Sequence, residues 1–497
     1  MTVEWTIHET SLIIVGAGFS GLGMAMKLKQ KGMDDFVILE RADDVGGAWR
    51  DNTYPGVACD VPSHLYSFSF MPKPDWSRVF SPGGEIWDYL RDCARKTGLV
   101  PHIQFGAEML QANWDETGRR WTVETTRGVW RGRYLITATG VLADAHLPAM
   151  PGLESFHGCS FHSARWDHAA DLKGKRVGVV GSGASAIQIV PEVSKVASEV
   201  VVFQRSAPYI IPRPDRAYTE AEKRTFTRLP DTMTALRSEI FWFGEYAYAQ
   251  RRAVPAFVAE ARKMALDHLA AQVPDPTLRA SLTPDYEIGC KRVLISNNYY
   301  PSFNEKHVSL ETSALARVDG SKAVAASGMS YDLDVLVFAT GFEAAEPPVA
   351  HRIHGRETSL AERWTRGMQA YDSITVPGFP NLFMMLGPNT GLGHHTMVYI
   401  LEAQVDYILG ALDYAKASGS ETLEASVEAE ARYVAAIEQR SAGTVWLAGG
   451  CNFWYRDPNS GRLTVLWPDF AYAFRDENGS FEPDGYLMDG KSIAAAV

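Results

Sequence analysis

No two cysteines of this chain stand close enough to form a CxxC pair. There are five, at positions 59, 93, 159, 290 and 451, and an odd number at such spacing predicts neither a disulfide framework nor a zinc site. A reducing cytoplasm is the compartment that fits. Excess positive charge is missing too: 48 Lys and Arg against 59 Asp and Glu leave a net charge of -11, which argues against a nucleic-acid partner. The N-terminal "MTVEWTIHET" carries acids and no apolar leader, so a secretory signal is not expected. One stretch without Asp, Glu, Lys or Arg, 381–401, has the length of a membrane span. It holds Pro388, Asn389, three glycines and two histidines, which predicts a buried loop entering a helix instead of a span. Low-complexity tracts are absent.

What is present is ordinary in bulk and specific in detail. With 497 residues, 46% hydrophobic and 22% charged, the chain is composed like a soluble globular protein of two or three domains. Two glycine turns stand out. "SLIIVGAGFSGLGMAMKLKQKG" carries Gly16, Gly18 and Gly21, and "KRVGVVGSGASAIQIVPEV" carries Gly181, Gly183 and Ala186. In such a turn the first glycine permits the tight bend and the second lets backbone approach a pyrophosphate. The third small residue lets helix and strand pack closely. Each turn is followed by a second apolar run, "DDFVILER" and "SEVVVFQRS". These reach Glu40 and Arg205, each 24 positions after the first glycine of its copy. A carboxylate accepts bonds from free ribose hydroxyls and repels a 2′-phosphate, whereas a guanidinium holds that phosphate through charge-assisted bonds. The first site is therefore expected to bind FAD and the second NADPH, with Ser206 adding a hydroxyl beside Arg205.

Two later runs, "YLITATG" ending at Gly140 and "DVLVFATG" ending at Gly341, read as the closing strands of the two nucleotide domains. The expected fold is α/β, with two Rossmann-like dinucleotide-binding domains and an inserted helical subdomain. Residues 1–145 are the first FAD-domain segment and 150–335 the NADPH domain. The helical insertion covers about 217–283, and 336–497 are the returning FAD segment and C-terminal loop. The aromatic stripe of the insertion (Phe241, Trp242, Phe243, Tyr246, Tyr248) reads first as core or packing surface. The tail beyond residue 476 is weakly patterned and is expected to be loosely held.

FAD with NADPH leaves several chemistries open. A disulfide reductase needs a cysteine pair by the flavin, and Cys59 stands alone in "YPGVACDVPS". Oxygen activation remains, and here a resemblance enters. "FHGCSFHSARWDH" fits F-x-G-x-x-x-H-x-x-x-W-[PD] at Phe156, Gly158, His162, Trp166 and Asp167, and resembles the fingerprint of type I Baeyer–Villiger monooxygenases. "VGGAWRDNTYPGVACDVPSHLYSFSF" resembles that family's flavin-proximal segment, which implies cofactor contacts at Gly47, Trp49, Asp60 and Tyr66. "GCKRVLISNNYY" resembles the segment with the active-site arginine, here Arg292, preceded by Lys291 as a second 2′-phosphate contact. "GFPNLFMMLGPNTGLGHHT" resembles the returning flavin loop, and "GCNFWYRDPNSGRLTVLWPDF" the C-terminal cofactor loop with Trp454. Phe453 and Asp372 depart from the residues that many members carry there.

The resemblance implies an NADPH- and O2-dependent flavin monooxygenase that turns a ketone into an ester or lactone through a flavin peroxide anion. Arg292 would stabilise that anion, and Asp60 would set the position of Arg292. The small-molecule ketone and O2 are the expected partners, and no metal is expected. Two alternatives stay open: a flavin monooxygenase that oxygenates nitrogen or sulfur, and a flavoprotein redox sensor or electron donor without oxygenase activity.

Overall fold

The structure, a computed structural model, describes residues 6–451 and 453–492. The first sheet is built on β1 (Ile7–Val15), whose last four residues, Leu12 to Val15, are all buried. β1 lies parallel between β2 (Phe36–Leu39) and β6 (Gly128–Thr137). A parallel strand covered on both faces has no need to alternate polar with apolar residues, which is why "LIIV" and "FVIL" read as unbroken apolar runs. β3 (Ile103–Gln104) extends this edge beyond β2, while β4 (Met109–Asp115) and β5 (Arg120–Thr125) form an antiparallel meander with β6. Two returning strands complete the sheet. Ile353–His354 lies beside β4, and Leu382–Met384 pairs with β6 at Leu135 to Thr137, beyond the part of β6 that β5 occupies.

The second sheet is wholly parallel. Its order is Val308–Glu311, β9 (Glu199–Phe203), β8 (Arg176–Val180), Val335–Phe338 and β7 (Cys159–His162). Two sheets centred on parallel strands, each with a glycine turn at the carboxyl end of its middle strand, match the expected α/β class. The boundary expected at residue 335 falls inside the strand Val335–Phe338, which stays with the second sheet.

The insertion forms four helices: Glu220–Arg228, Pro230–Arg251, Pro255–Gln272 and Pro276–Ser281. The first starts with a reciprocal cap between Thr219 and Glu222, and each of the others starts at proline, whose missing N–H costs nothing there. The packing expectation for the aromatic stripe is only partly met, and the helical period explains the split. Phe241 and Tyr248, seven residues apart, face inward: Phe241 stands against His395 and Tyr248 against His394 and Phe470. Trp242, Phe243 and Tyr246 point the other way and are exposed.

Two expectations are overturned. The tail beyond residue 476 is not loose through Ser492: Tyr486–Met488 pairs with Leu423–Ala425, and the buried Tyr486 hydroxyl bonds Thr375 and Tyr407. The expectation of no disulfide also fails, because Cys290 and Cys451, 161 residues apart, are joined by one. Their pairing is set by tertiary packing. The backbone N–H of Glu287 donates to the carbonyl of Gly449, which brings the two segments side by side. Cys59, Cys93 and Cys159 are free thiols. The 381–401 stretch is a buried strand and loop running into the helix Met397–Ser418, and no described helix is long and apolar enough to cross a membrane.

Candidate functional site

The two glycine turns close onto their neighbouring strands in the same way. Gly16 has φ 108°, and a Cβ there would come within 2.5 Å of the Ala138 carbonyl oxygen. Gly181 has φ 118°, and its Cβ would come within 2.4 Å of the Ala339 oxygen. Ala138 and Ala339 follow the two closing strands, so only a residue without a side chain lets the bend form there. The helices that follow begin at Phe19 and Ala186, leaving their first N–H groups directed at the cradle. Gly18 lies against Gly47, and Gly21 and Ala186 are buried where helix meets sheet.

Glu40 is 4% exposed at the end of β2. Its Oε2 accepts the Ala17 N–H at 2.8 Å, and its Oε1 accepts the Ala42 N–H at 3.0 Å and Arg50 Nη1 at 2.9 Å. The carboxylate is thus fixed against the first glycine turn with lone-pair capacity left on Oε2. Trp49 Nε1 donates to the Tyr66 hydroxyl at 3.1 Å, and burial pushes that phenol well above its ordinary pKa.

The second cradle gathers cations. Arg205 is exposed at the end of β9, and Lys291 Nζ donates to the Ser206 hydroxyl at 2.7 Å. Burial lowers the Lys291 pKa, and the field of Arg205 lowers it further. Neither cation makes an ion pair among the described residues. Ser206 and Lys291 are 85 positions apart, so this grouping is a product of the fold.

Between the cradles lies an arginine–carboxylate pair. Arg292 Nε donates to Asp60 Oδ2 at 2.8 Å, Nη2 forms an ion pair with the same oxygen at 2.7 Å, and the Tyr455 hydroxyl lies against the guanidinium. Asp60 carries the main part of the effect that holds the guanidinium above its ordinary pKa, against the opposing cost of burial. About a third of each side chain remains exposed. Asp60 comes from the loop after the first cradle and Arg292 from the second unit. Buried Tyr455 stands beside Arg292, while its neighbour Trp454 is 46% exposed.

A model of the family described as flavin-binding monooxygenase-like matches residues 9–230. A Baeyer–Villiger monooxygenase of Streptomyces coelicolor is 44% identical over 475 residues, covering 95% of this chain and 91% of that protein. One from Pseudomonas aeruginosa is 40% identical, covering 98% and 93%. The chain belongs to the Baeyer–Villiger monooxygenase family. Among solved structures, cyclohexanone monooxygenase from Rhodococcus sp. Phi1 bound to NADP+ superposes with a TM-score of 0.86 at 26% identity, covering 98% of this chain and 100% of that one. Oxidised steroid monooxygenase bound to NADP gives 0.84 at 30% identity, covering 97% and 99%.

In this Baeyer–Villiger family member the fingerprint stretch links the two sheets. His162 ends β7, is buried, and accepts the Ala164 N–H on Nδ1 at 3.0 Å; burial takes its pKa down to about 4, so it is neutral. Trp166 packs edge-on against Phe161, and Asp167 is exposed and accepts the Ala169 N–H. Gly158 sits where a Cβ would come within 2.0 Å of the Asp334 carbonyl and 2.8 Å of Phe156.

Four residues of the site region escape a reading of the sequence alone. Arg50 pairs with Glu40, and Tyr455 flanks Arg292. Gln188 of the helix Ala186–Val193 accepts from the Tyr54 hydroxyl at 3.0 Å and donates to the Ala58 carbonyl at 3.0 Å, tying the second cradle's helix to the loop leading to Asp60. Arg251 donates to the Gly393 carbonyl at 2.7 Å, and burial with the nearby Arg292 charge lowers its pKa to about 10. Tyr455 alone had a signal in sequence, its place next to Trp454 in the C-terminal segment.

Proposed function

We propose that the chain is an NADPH- and O2-dependent flavin monooxygenase that inserts one oxygen atom beside a ketone carbonyl, giving an ester or lactone. The family supports this, and so does the fit of each cradle to its cofactor. A carboxylate fixed at Glu40, with capacity left on Oε2, suits the free adenosine ribose of FAD. Arg205 and Lys291, set close together without an acidic partner, suit the 2′-phosphate of NADPH, with Ser206 between them. When bound, the two cofactors supply the electrons and the activated oxygen.

The observation that carries the reading is the Arg292–Asp60 pair. Asp60 engages the guanidinium on its Nε and Nη2 side through a single oxygen, and a guanidinium has further N–H donors beyond those two contacts. In the reaction, Arg292 holds negative charge that develops on oxygen and polarises the ketone carbonyl, and it stays protonated throughout. Asp60 positions it. Gly47, Trp49 and Tyr66 would line the flavin when it is bound, and Trp454 would lie over the nicotinamide and limit water there.

Product analysis with a cyclic ketone and a thioether tests the proposal. Arg292→Ala is expected to lower ester or lactone formation by about 10²–10³-fold while NADPH oxidation continues. A parent enzyme that yields sulfoxide and no ester or lactone from any ketone of a graded series would favour the nitrogen- or sulfur-oxygenating alternative and refute the proposal.

A further inference from the structure

Residues 57–59 run antiparallel to 81–83. The Cys59 N–H donates to the Ser81 carbonyl at 3.0 Å, and the Gly83 N–H donates to the Val57 carbonyl at 2.9 Å. Successive peptide groups of an extended chain point to opposite sides, so the N–H and carbonyl of Ala58 face away from that partner. There they meet the side-chain amide of Gln188. Its Nε2 donates to the Ala58 carbonyl at 3.0 Å, and its Oε1 accepts the Ala58 N–H at 3.4 Å and the Tyr54 hydroxyl at 3.0 Å. The two backbone groups need opposite partners, and an amide offers a donor end and an acceptor end that no charged side chain combines. Gly56 allows the close approach. It has φ 83°, and a Cβ there would come within 2.7 Å of the Gln188 carbonyl oxygen and 2.9 Å of Glu192 Cγ. Tyr54, 7% exposed, and Val57 pack into the core of the second unit.

Gln188 is the third residue of the helix Ala186–Val193, whose first N–H groups serve the second cradle. We propose that Gln188 is a positioning residue for flavin reduction: its amide latches the cradle helix to the flavin unit and so sets where bound NADPH stands relative to FAD. This rests on the proposed reading of the two cradles as cofactor sites.

The strip is held to the first unit by bonds that do not involve this helix. Gly83 holds Val57 and Ser81 holds Cys59, and Arg213 Nη2 adds a bond to the Cys59 carbonyl at 3.2 Å. An apolar residue at 188 therefore leaves the strip in place, and Asp60 after it keeps its pairing with Arg292. What loses its register is the helix, and with it the second cradle. Thr53 Oγ1 with His168 Nε2, at 2.7 Å, and Asp60 with Arg292 still join the units, so the orientation loosens without the units separating. The step served is transfer of one hydride, two electrons and a proton, from NADPH to FAD. Such a transfer is productive only with the reacting atoms about 3–3.5 Å apart, and a 1 Å misplacement costs on the order of a hundredfold.

The test compares the FAD-loaded parent with Gln188→Met, which keeps the length of the side chain and loses its donor and its strong acceptor. After anaerobic mixing with saturating NADPH, flavin bleaching is expected to be about ten- to hundredfold slower in the variant. NADP+ affinity by calorimetry is expected to stay at the parent's value, a split between rate and binding that general loss of structure does not produce. Residue-resolved hydrogen exchange is expected to quicken at the Ala58 N–H and to stay unchanged at the Cys59 and Gly83 N–H groups. Should Gln188→Met fail to fold, Tyr54→Phe, which removes one of the amide's contacts, carries the comparison with a smaller fall in the same direction. Reduction at the parent's rate would overturn the latch and leave the cofactor reading standing. Weaker NADP+ binding with unchanged reduction at saturation would overturn it as well, because Gln188 would then serve binding. A parent whose FAD is not reduced by NADPH at all would overturn both.

Discussion

Asp372 offers a stability measurement whose size and sign follow from its surroundings. It is 8% exposed, with φ 51°, in a loop closed by tyrosines. Its Oδ2 accepts the Tyr407 hydroxyl at 2.8 Å, Tyr371, Tyr433 and Tyr486 stand around it, and Glu477 is the nearby charge of the same sign. Burial raises its pKa from 3.8 to about 7. The fold therefore favours the protonated carboxyl. Its contribution is fully present below the unfolded value near 4, declines as pH rises, and is lost once pH passes 7. At about 1.4 kcal/mol per pH unit, the rise is worth on the order of 4 kcal/mol between those limits. Asp372→Asn keeps a carbonyl oxygen for Tyr407 and cannot ionise. Denaturant unfolding at pH 4 and pH 8, followed by circular dichroism, is expected to show variant and parent close together at pH 4. At pH 8 the variant should be the more stable by a few kcal/mol. The surrounding phenols all have pKa values above their ordinary 10 and do not titrate in this window. A gap that is constant with pH, or that narrows as pH rises, would refute the reasoning.

Further expectations can be measured with the same protein. Arg205→Ala removes a charge-assisted contact proposed for the 2′-phosphate, so KM for NADPH should rise roughly ten- to hundredfold with little change for NADH in steady-state assays. Lys291→Ala should act in the same direction, and the double variant should leave the two dinucleotides nearly equivalent. Gly158→Ala forces a Cβ into the Asp334 carbonyl and should cost about 1–3 kcal/mol in denaturant unfolding, since backbone and not a flexible side chain must move. For Arg292→Lys, a point charge replaces a planar fork, so ester formation should fall well below the parent and above Arg292→Ala in the product assay.

Local signals read well from this sequence, and long-range ones do not. The cradles at Gly16 and Gly181 are legible because strand, turn and helix follow one another within some twenty residues, and each turn's steric demand is met by a strand that also shows in sequence. The Arg292–Asp60 contact spans 232 positions and was reachable only through resemblance, since neither residue has a neighbour that announces the other. Cys290 and Cys451 look unpaired for the same reason: spacing carries no information across 161 residues. The exposed Trp242, Phe243 and Tyr246 mislead because aromatic density suggests a core, while helical phase decides which rings reach one. Tyr486 escapes because its hydroxyl finds Thr375 and Tyr407, over a hundred and almost eighty residues earlier.

The pairing of Leu382–Met384 with the end of β6 also orders events during synthesis. Between Thr137 and Leu382 lie 244 residues, and they contain the whole of the second sheet. At ordinary ribosomal speed the N-terminal sheet waits about 12–50 s for its last strand. Through that interval the exposed flank of Leu135 to Thr137 is an open edge, while the later domain emerges and can close on itself. The half of the molecule that is made first is thus the half that finishes last, and a nascent chain stalled short of Met384 is the species most prone to mispair.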